Sequence, residues 1–218
     1  REAAKHLGFE LKDSRIAVQG FGNVGGIGAQ LMAEQGGKII GVTDWKGGVH
    51  NDKGLDIPKL QEWVAKHKTV AGFPGGEPLG QADVFKLNVD ILVPAALEKQ
   101  ITEDNVNDIK AKLIIEGANG PTTPGAHTAL HKRGVFVVPD ILANAGGVTT
   151  SYFEWVQDRH GYFWTEKEVN ERLEAKMCEA FGAVLERAQK FKVDMRTAAY
   201  IVAINRVATV TRLRGMYA

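Results

Sequence analysis

Six residues, Gly20-Phe21-Gly22-Asn23-Val24-Gly25, constrain this chain more than any other feature. Alone, three glycines at this spacing are a weak signal; their setting strengthens them. Arg15-Ile16-Ala17-Val18-Gln19 precedes them and reads as a short buried strand. Asn23 to Gln35 follows, with Val24, Ile27, Leu31 and Met32 at helical spacing, and Gly36-Gly37 ends the run. Lys38 to Asp44 is a second strand with an acidic end, about 20 residues past the last glycine. In this setting Gly20 permits a tight turn and Gly22 lets a pyrophosphate approach the backbone. Gly25 lets the helix pack closely on the strand. The positive end of the helix favours the anion. A ligand-free glycine turn, an S-adenosylmethionine site and a ligand-gating regulatory domain each share part of this pattern. A dinucleotide site accounts for the acid as well.

The remaining chain repeats the alternation of strand and helix. Pro58 to Lys66 reads as a helix with Leu60, Trp63 and Val64 on one face, and Ala71 to Gly80 as a Gly/Pro-rich loop. Val89 to Val93, Leu113 to Glu116 and Val135 to Pro139 read as strands, and Thr102 to Ala111 as a short polar helix. Thr123-Pro124 is a helix start. From Asp140 onward the pattern is helical. A capping box at Thr165-Glu166-Lys167-Glu168 opens a long helix to about 191. Its apolar stripe is Val169, Leu173, Met177, Phe181, Val184, Leu185 and Ala188. A last helix covers about 196–214. The expectation is a Rossmann-type, doubly wound α/β domain with a mostly parallel sheet, followed by long C-terminal helices. No linker divides the sequence, so residues 1–218 are read as one dinucleotide-binding domain.

Composition excludes several classes. The chain has 27 basic and 26 acidic residues, so its bulk charge gives no reason to expect nucleic acid or a membrane surface as partner. No apolar run approaches the roughly 20 residues of a membrane span. Cys178 is the only cysteine, so no internal disulfide is possible and a reducing, cytoplasmic location is expected. Glycine is in excess, 25 residues against about 15 at average usage. The chain opens Arg1-Glu2-Ala3-Ala4 without an initiator methionine, as a piece of a longer polypeptide would.

Ligands of open parallel sheets bind beyond the carboxyl ends of the strands. Those ends carry the small, rigid Pro94-Ala95-Ala96 and the amide loop Gly117-Ala118-Asn119-Gly120. A third carries Asn144 before the pair Gly146-Gly147. Each alone reads equally as a turn or a cap. Their recurrence at successive strands points to a ligand.

In order along essentially the whole chain, the following blocks resemble the cofactor-binding domain of glutamate dehydrogenases, within the Glu/Leu/Phe/Val dehydrogenase family. They are Gln19-Gly20-Phe21-Gly22-Asn23-Val24-Gly25, Asp44-x-Lys46-Gly47-Gly48, Pro94-Ala95-Ala96, Ala118-Asn119-Gly120-Pro121-x-Thr123-Pro124, and Pro139-Asp140-x-x-x-Asn144-Ala145-Gly146-Gly147-Val148-Thr149-x-Ser151-Tyr152-Phe153-Glu154-Trp155. The resemblance implies an NAD or NADP site built from Gly20, Phe21, Gly22, Asn23, Val24, Asp44, Trp45, Ala95, Ala96, Ala118, Asn119 and Asn144. Asp44 would face the adenosine ribose and favour NAD by repelling a 2′-phosphate, and Lys46 would offset that repulsion. Gly147, Val148 and Ser151 match positions lining the glutamate pocket, with the Ser151 hydroxyl reaching the substrate's side-chain carboxylate. That polar group separates glutamate from the apolar substrates of the leucine, valine and phenylalanine enzymes.

The implied reaction is reversible oxidative deamination of glutamate to 2-oxoglutarate and ammonium. The family's catalytic lysine and aspartate belong to an N-terminal substrate domain, and no such Gly-rich lysine motif occurs here. No residue of this chain is therefore expected to be the catalytic acid or base. The isolated chain is expected to bind cofactor without turnover, and its parent to be a homo-hexamer sharing glutamate between its domains. A branched-chain or aromatic amino-acid dehydrogenase and a non-catalytic nucleotide-sensing module are the alternatives.

Other residues carry less. His127 and His131 share a helix face without the intervening Glu of a metalloprotease motif, so no metal is expected. Tyr152, Phe153, Trp155, Tyr162, Phe163 and Trp164 read as packing rather than base stacking, because no basic groove accompanies them.

Overall fold

The computed structural model describes residues 1–215, which fall into two compact units, 1–140 and 141–215. The break coincides with the change to helix at Asp140. The sequence reading runs one domain across this point; the contacts divide there.

The first unit begins with a short helix α1 (Glu2–His6) and the strand β1 (Arg15–Gln19), whose Ile16, Ala17 and Val18 are fully buried. Then come α2 (Asn23–Glu34), β2 (Lys38–Thr43), β3 (Gly48–His50), α3 (Ile57–His67) and β4 (Glu77–Leu79). A 3-10 helix (Gln81–Lys86) leads to β5 (Ile91–Pro94), β6 (Leu113–Ile115), α4 (Pro124–Lys132) and β7 (Phe136–Val138). The seven strands form one sheet in the order β4-β3-β2-β1-β5-β6-β7. Five are parallel, and β3 and β4 add an antiparallel edge beside β2. The Rossmann-type expectation is borne out.

Because β2 lies on one side of β1 and β5 on the other, the winding direction reverses at β1. A crevice opens there, beyond the carboxyl ends of β1 and β5. The sheet is apolar on both faces, as parallel strands covered by helices must be. Ala17, Ile40, Leu92 and Ile114 line one face, over a core completed by Val84, Phe85, Ile101, Val106 and Leu130. Residues 89 and 90 precede β5, and the register Ile16↔Ile91, Ala17↔Leu92 sets how far each strand projects toward the crevice.

Three sequence expectations change. The antiparallel β3 lies in a stretch given no element and β4 in one read as a loop; three-residue strands containing Gly or Pro carry no periodicity to read. Only Val106–Asp108 of the expected polar helix is helical, as a single 3-10 turn. And α2 is present, but the stripe Val24, Ile27 and Leu31 is its exposed side, while Gly25, Gly26 and Ala29 are buried. A Cβ on Gly25 would collide with the carbonyl of Gly20 and press on Val18 Cγ1, so only glycine fits this close helix-to-strand contact.

The second unit is helical. After the short α5 (Asp140–Ala143) come α6 (Ala145–His160), α7 (Glu166–Phe191) and α8 (Met195–Arg214). The expected capping box is formed: Thr165 Oγ1 accepts from Glu168 N at 3.3 Å, and the Glu168 carboxylate accepts from Thr165 N at 2.8 Å. The stripe on α7 faces inward, with Val184 and Ala188 buried and the rest half-buried. Within the aromatic block only Phe153 and Trp164 pack edge to face, at 5.6 Å between centroids, with the Arg172 guanidinium 4.2 Å over Trp164. Tyr152, Trp155, Tyr162 and Phe163 are exposed. No helix among the described residues is long and apolar enough to cross a membrane.

Candidate functional site

The glycine loop has the geometry its spacing demands. Gly20 sits at φ +91°, where a side chain is strained, and a Cβ there would lie 2.7 Å from the Ala95 carbonyl oxygen. The loop is clamped between strands: Gly20 N donates to Thr43 O at 2.8 Å, and Ala95 N donates to Gln19 O at 2.7 Å. Gly22 has open space where a side chain would be, and as N-cap of α2 it supplies no capping side chain. The first turn of α2 holds no acidic residue. Its leading N–H groups and positive dipole end therefore suit an anion.

Beside this loop lies a cleft of about 720 Å³, within the size range of small-molecule sites. Gly20, Phe21, Gly22, Asp44, Trp45, Ala95 and Ala96, seven of the positions marked in the sequence, line it together. Its walls are largely apolar, including Trp45, 75% exposed, and Phe85. Its polar side chains are the amides of Gln19, Gln81, Gln100 and Asn105, the Asp44 carboxylate and the Thr43 hydroxyl. Gln19 is 7% exposed; its Nε2 donates to Gln100 Oε1 at 2.6 Å, while its Oε1 is buried with no protein partner. Gln100 Nε2 donates to Glu98 O at 3.0 Å, which fixes the direction of this chain of amides. An unpaired buried acceptor, a glycine cradle and a helix N-terminus around one cleft fit a ligand carrying both an anionic group and hydrogen-bond donors, as a dinucleotide does.

Asp44 directly follows β2 and is half-buried at the cleft. Its Oδ1 accepts from Lys46 N at 2.8 Å, Gly47 N at 3.2 Å and Thr69 Oγ1 at 3.1 Å, and its Oδ2 accepts from Val70 N at 2.7 Å. Gln81 Nε2 donates to the carbonyls of Asp44, at 3.1 Å, and of Trp45.

The other marked residues lie elsewhere. Asn23 and Val24 occupy the exposed first turn of α2. Ala118 and Asn119 sit in the loop after β6, where Gly117 packs against Val24 and Ala95, and Ala118 N donates to Pro94 O at 3.0 Å. That loop is held from beyond by Asp140, which accepts from Gly120 N at 2.7 Å. Asn144, Gly147, Val148 and Ser151 belong to the second unit. The last three share one exposed face at the start of α6, three and four residues apart. Ser151 Oγ donates to Gly147 O at 3.3 Å, a long bond that a stronger acceptor can displace.

Sequence reasoning did not mark Gln19, Gln81, Phe85, Leu97, Gln100 or Asn105, all of which line the cleft. Leu97 and Gln100 follow the carboxyl end of β5, so the strand-end rule pointed near them. Gln81 and Phe85 come from the 3-10 helix and carry no local signal.

Comparison with known proteins places this geometry. The family described as Glutamate/Leucine/Phenylalanine/Valine dehydrogenase matches residues 1–215. The chain is 51% identical over 212 residues to a glutamate dehydrogenase of Thermotoga maritima, covering 97% of this chain and 51% of that protein. It is 47% identical over 214 residues to the NAD-specific glutamate dehydrogenase of Staphylococcus aureus, covering 98% and 51%. Among solved structures, the hetero-hexameric glutamate dehydrogenase of Thermus thermophilus, in a leucine-bound form, superposes with a TM-score of 0.94 at 34% identity, over 100% of this chain and 51% of that one. The enzyme of Peptoniphilus asaccharolyticus gives 0.86 at 40%, again over 100% and 51%. The chain spans about half the length of the curated relatives it matches.

Proposed function

This chain belongs to the Glutamate/Leucine/Phenylalanine/Valine dehydrogenase family, and on that premise we propose that it is the dinucleotide-binding part of an NAD-dependent glutamate dehydrogenase. The observation that carries the reading is the cleft itself. It brings Gly20–Gly22, Asp44–Trp45 and Ala95–Ala96 together at the carboxyl ends of three parallel strands. The NAD-specific relatives support the choice of cofactor.

In this reading the N–H groups at the start of α2 hold the pyrophosphate, with Asn23 and Val24 beside it. The apolar walls take the adenosine half. Ala95 and Ala96 border the cofactor's midsection, and Ala118, Asn119 and Asn144 serve its nicotinamide end. When bound there, the nicotinamide would supply the acceptor for a hydride from the α-carbon of the amino acid. Gly147, Val148 and Ser151 line the substrate's side chain, and Ser151 turns its hydroxyl from the Gly147 carbonyl to the substrate carboxylate. NADP is the second possible cofactor. The acid and base come from a substrate domain outside this chain, so the chain alone binds cofactor and turns nothing over. The parent assembles as a homo-hexamer in the cytoplasm.

The test is twofold. Titration calorimetry of the 218-residue chain should show NAD binding, and absorbance at the nicotinamide band should show no glutamate oxidation by it. The full-length parent should oxidise glutamate in strong preference to leucine. Preference for leucine overturns the substrate assignment, and no binding of either dinucleotide overturns the whole reading.

A further inference from the structure

We infer that Asp44 is a positioning residue of the dinucleotide cleft: its carboxylate ties the turn that carries Trp45 to the segment after α3, and it does not choose between NAD and NADP. The inference rests on the dinucleotide reading and departs from what the position of Asp44 in the sequence implies.

A carboxylate offers about four lone-pair directions. Four protein donors already approach this one, three on Oδ1 and one on Oδ2. Oδ1 is fully engaged, and Oδ2 keeps room for one further donor. A ribose pairing both hydroxyls with both oxygens would have to displace protein donors. Two of these are deeply buried: Val70 is 0% exposed and Thr69 is 4% exposed. Neither could turn to water instead, and each buried donor left unpaired costs about 1–3 kcal/mol. The ribose therefore gains at most one bond here.

The same bonds say what Asp44 does. Lys46 N and Gly47 N belong to the turn between β2 and β3. Thr69 and Val70 belong to the segment that leaves α3 through Lys68, at φ +60°. Asp44 is the joint between them. Thr69 Oγ1 also accepts from Ala71 N at 3.1 Å, so the segment is ordered around the same point. The turn presents Trp45 as an exposed cleft wall, and Gln81 braces it through the Asp44 and Trp45 carbonyls. With these four donors turned toward it, the carboxylate presents one open lone-pair direction to a ribose or to its 2′-phosphate.

The experiment is calorimetric titration of NAD and of NADP into the wild-type chain and into Asp44→Ala, Asp44→Asn and Thr69→Val, well below the thermal midpoint of each. Asp44→Ala should weaken both dinucleotides by about tenfold, the loss of roughly one buried hydrogen bond's worth of order. Asp44→Asn, which keeps one acceptor oxygen, should lie between it and the wild type. The ratio of the two affinities should stay within about twofold throughout. Thr69 does not line the cleft, yet Thr69→Val should weaken both dinucleotides by about two- to threefold, which a direct ribose contact by Asp44 would not produce. If an Asp44 variant does not fold, Thr69→Val decides alone. A tenfold shift of the ratio toward NADP in Asp44→Asn, or a Thr69→Val variant that binds both as the wild type does, overturns the inference and leaves the cofactor reading standing. A wild-type chain that binds neither dinucleotide overturns both.

Discussion

The two units solve the burial problem differently. In 1–140, every central strand is covered on both faces, and residues such as Ile16, Ile40, Leu92 and Ile114 have essentially no exposed surface. In 141–215, helices carry most of the mass, yet few large side chains are buried, chiefly Leu142, Phe153, Val184 and Met195. Tyr152, Trp155, Phe163, Ile204, Val207 and Leu213 stay exposed. A sheet satisfies its backbone between strands and can bury both faces. A helix satisfies its backbone internally and buries only the stripe that meets a neighbour. The two sets of candidate site residues follow this division. The cofactor set lies mostly on the rigid strand ends of the first unit, and the substrate set lies on one open face of α6 in the second.

That contrast predicts unequal responses to substitution. Leu92→Ala or Ile114→Ala opens a cavity under the sheet and should destabilise by about 2–5 kcal/mol in urea denaturation. A loss below about 1 kcal/mol would mean the sheet core is looser than its burial indicates. In the second unit the largest local effect should come from the capping box: Thr165→Ala should cost about 1 kcal/mol, read as a lowered thermal midpoint. Ile204→Ala and Val207→Ala should fall within about 0.5 kcal/mol of the wild type, since both side chains are exposed. A large loss there would show that α8 packs more tightly than described.

Acid should sharpen the comparison further. Burial pushes the Asp90 carboxyl up, but the Arg15 N–H and the Lys112 ammonium outweigh it and hold the group below the usual carboxylate range. Glu168 is held down by the Thr165 N–H and hydroxyl. A carboxylate depressed in the folded state contributes stability that is present above its unfolded pKa. That stability is lost as the pH falls through the folded value. Both units should therefore weaken below about pH 4. Asp90→Asn should flatten the acid limb of a stability–pH profile more than Glu168→Gln, because Asp90 joins the starts of β1, β5 and β6 while Glu168 bonds only to the cap of its own helix. Equal flattening would break the contrast.

The strands of the first unit were legible because buried parallel strands are unbroken apolar runs with little else to be. The glycine loop was legible because strand, loop, helix and acid all lie within about 30 residues of sequence. The edge strands β3 and β4 were not, because they pair through backbone alone and leave no side-chain pattern. The buried face of α2 was hidden because close packing selects glycine and alanine, so its apolar residues mark the outer side.

The sequence by itself determined the parallel sheet, the phosphate loop and the long capped helices, since each is dictated by local periodicity, glycine conformation or a cap. Only the tertiary structure decided what occupies the rest of the cleft. Gln81 and Phe85 reach it from a separate 3-10 helix, and the Asp44 carboxylate is met there by Thr69 and Val70 from beyond α3. A residue's type and position along a strand show what it can bond to. Which donors reach it first depends on how distant segments fold around it.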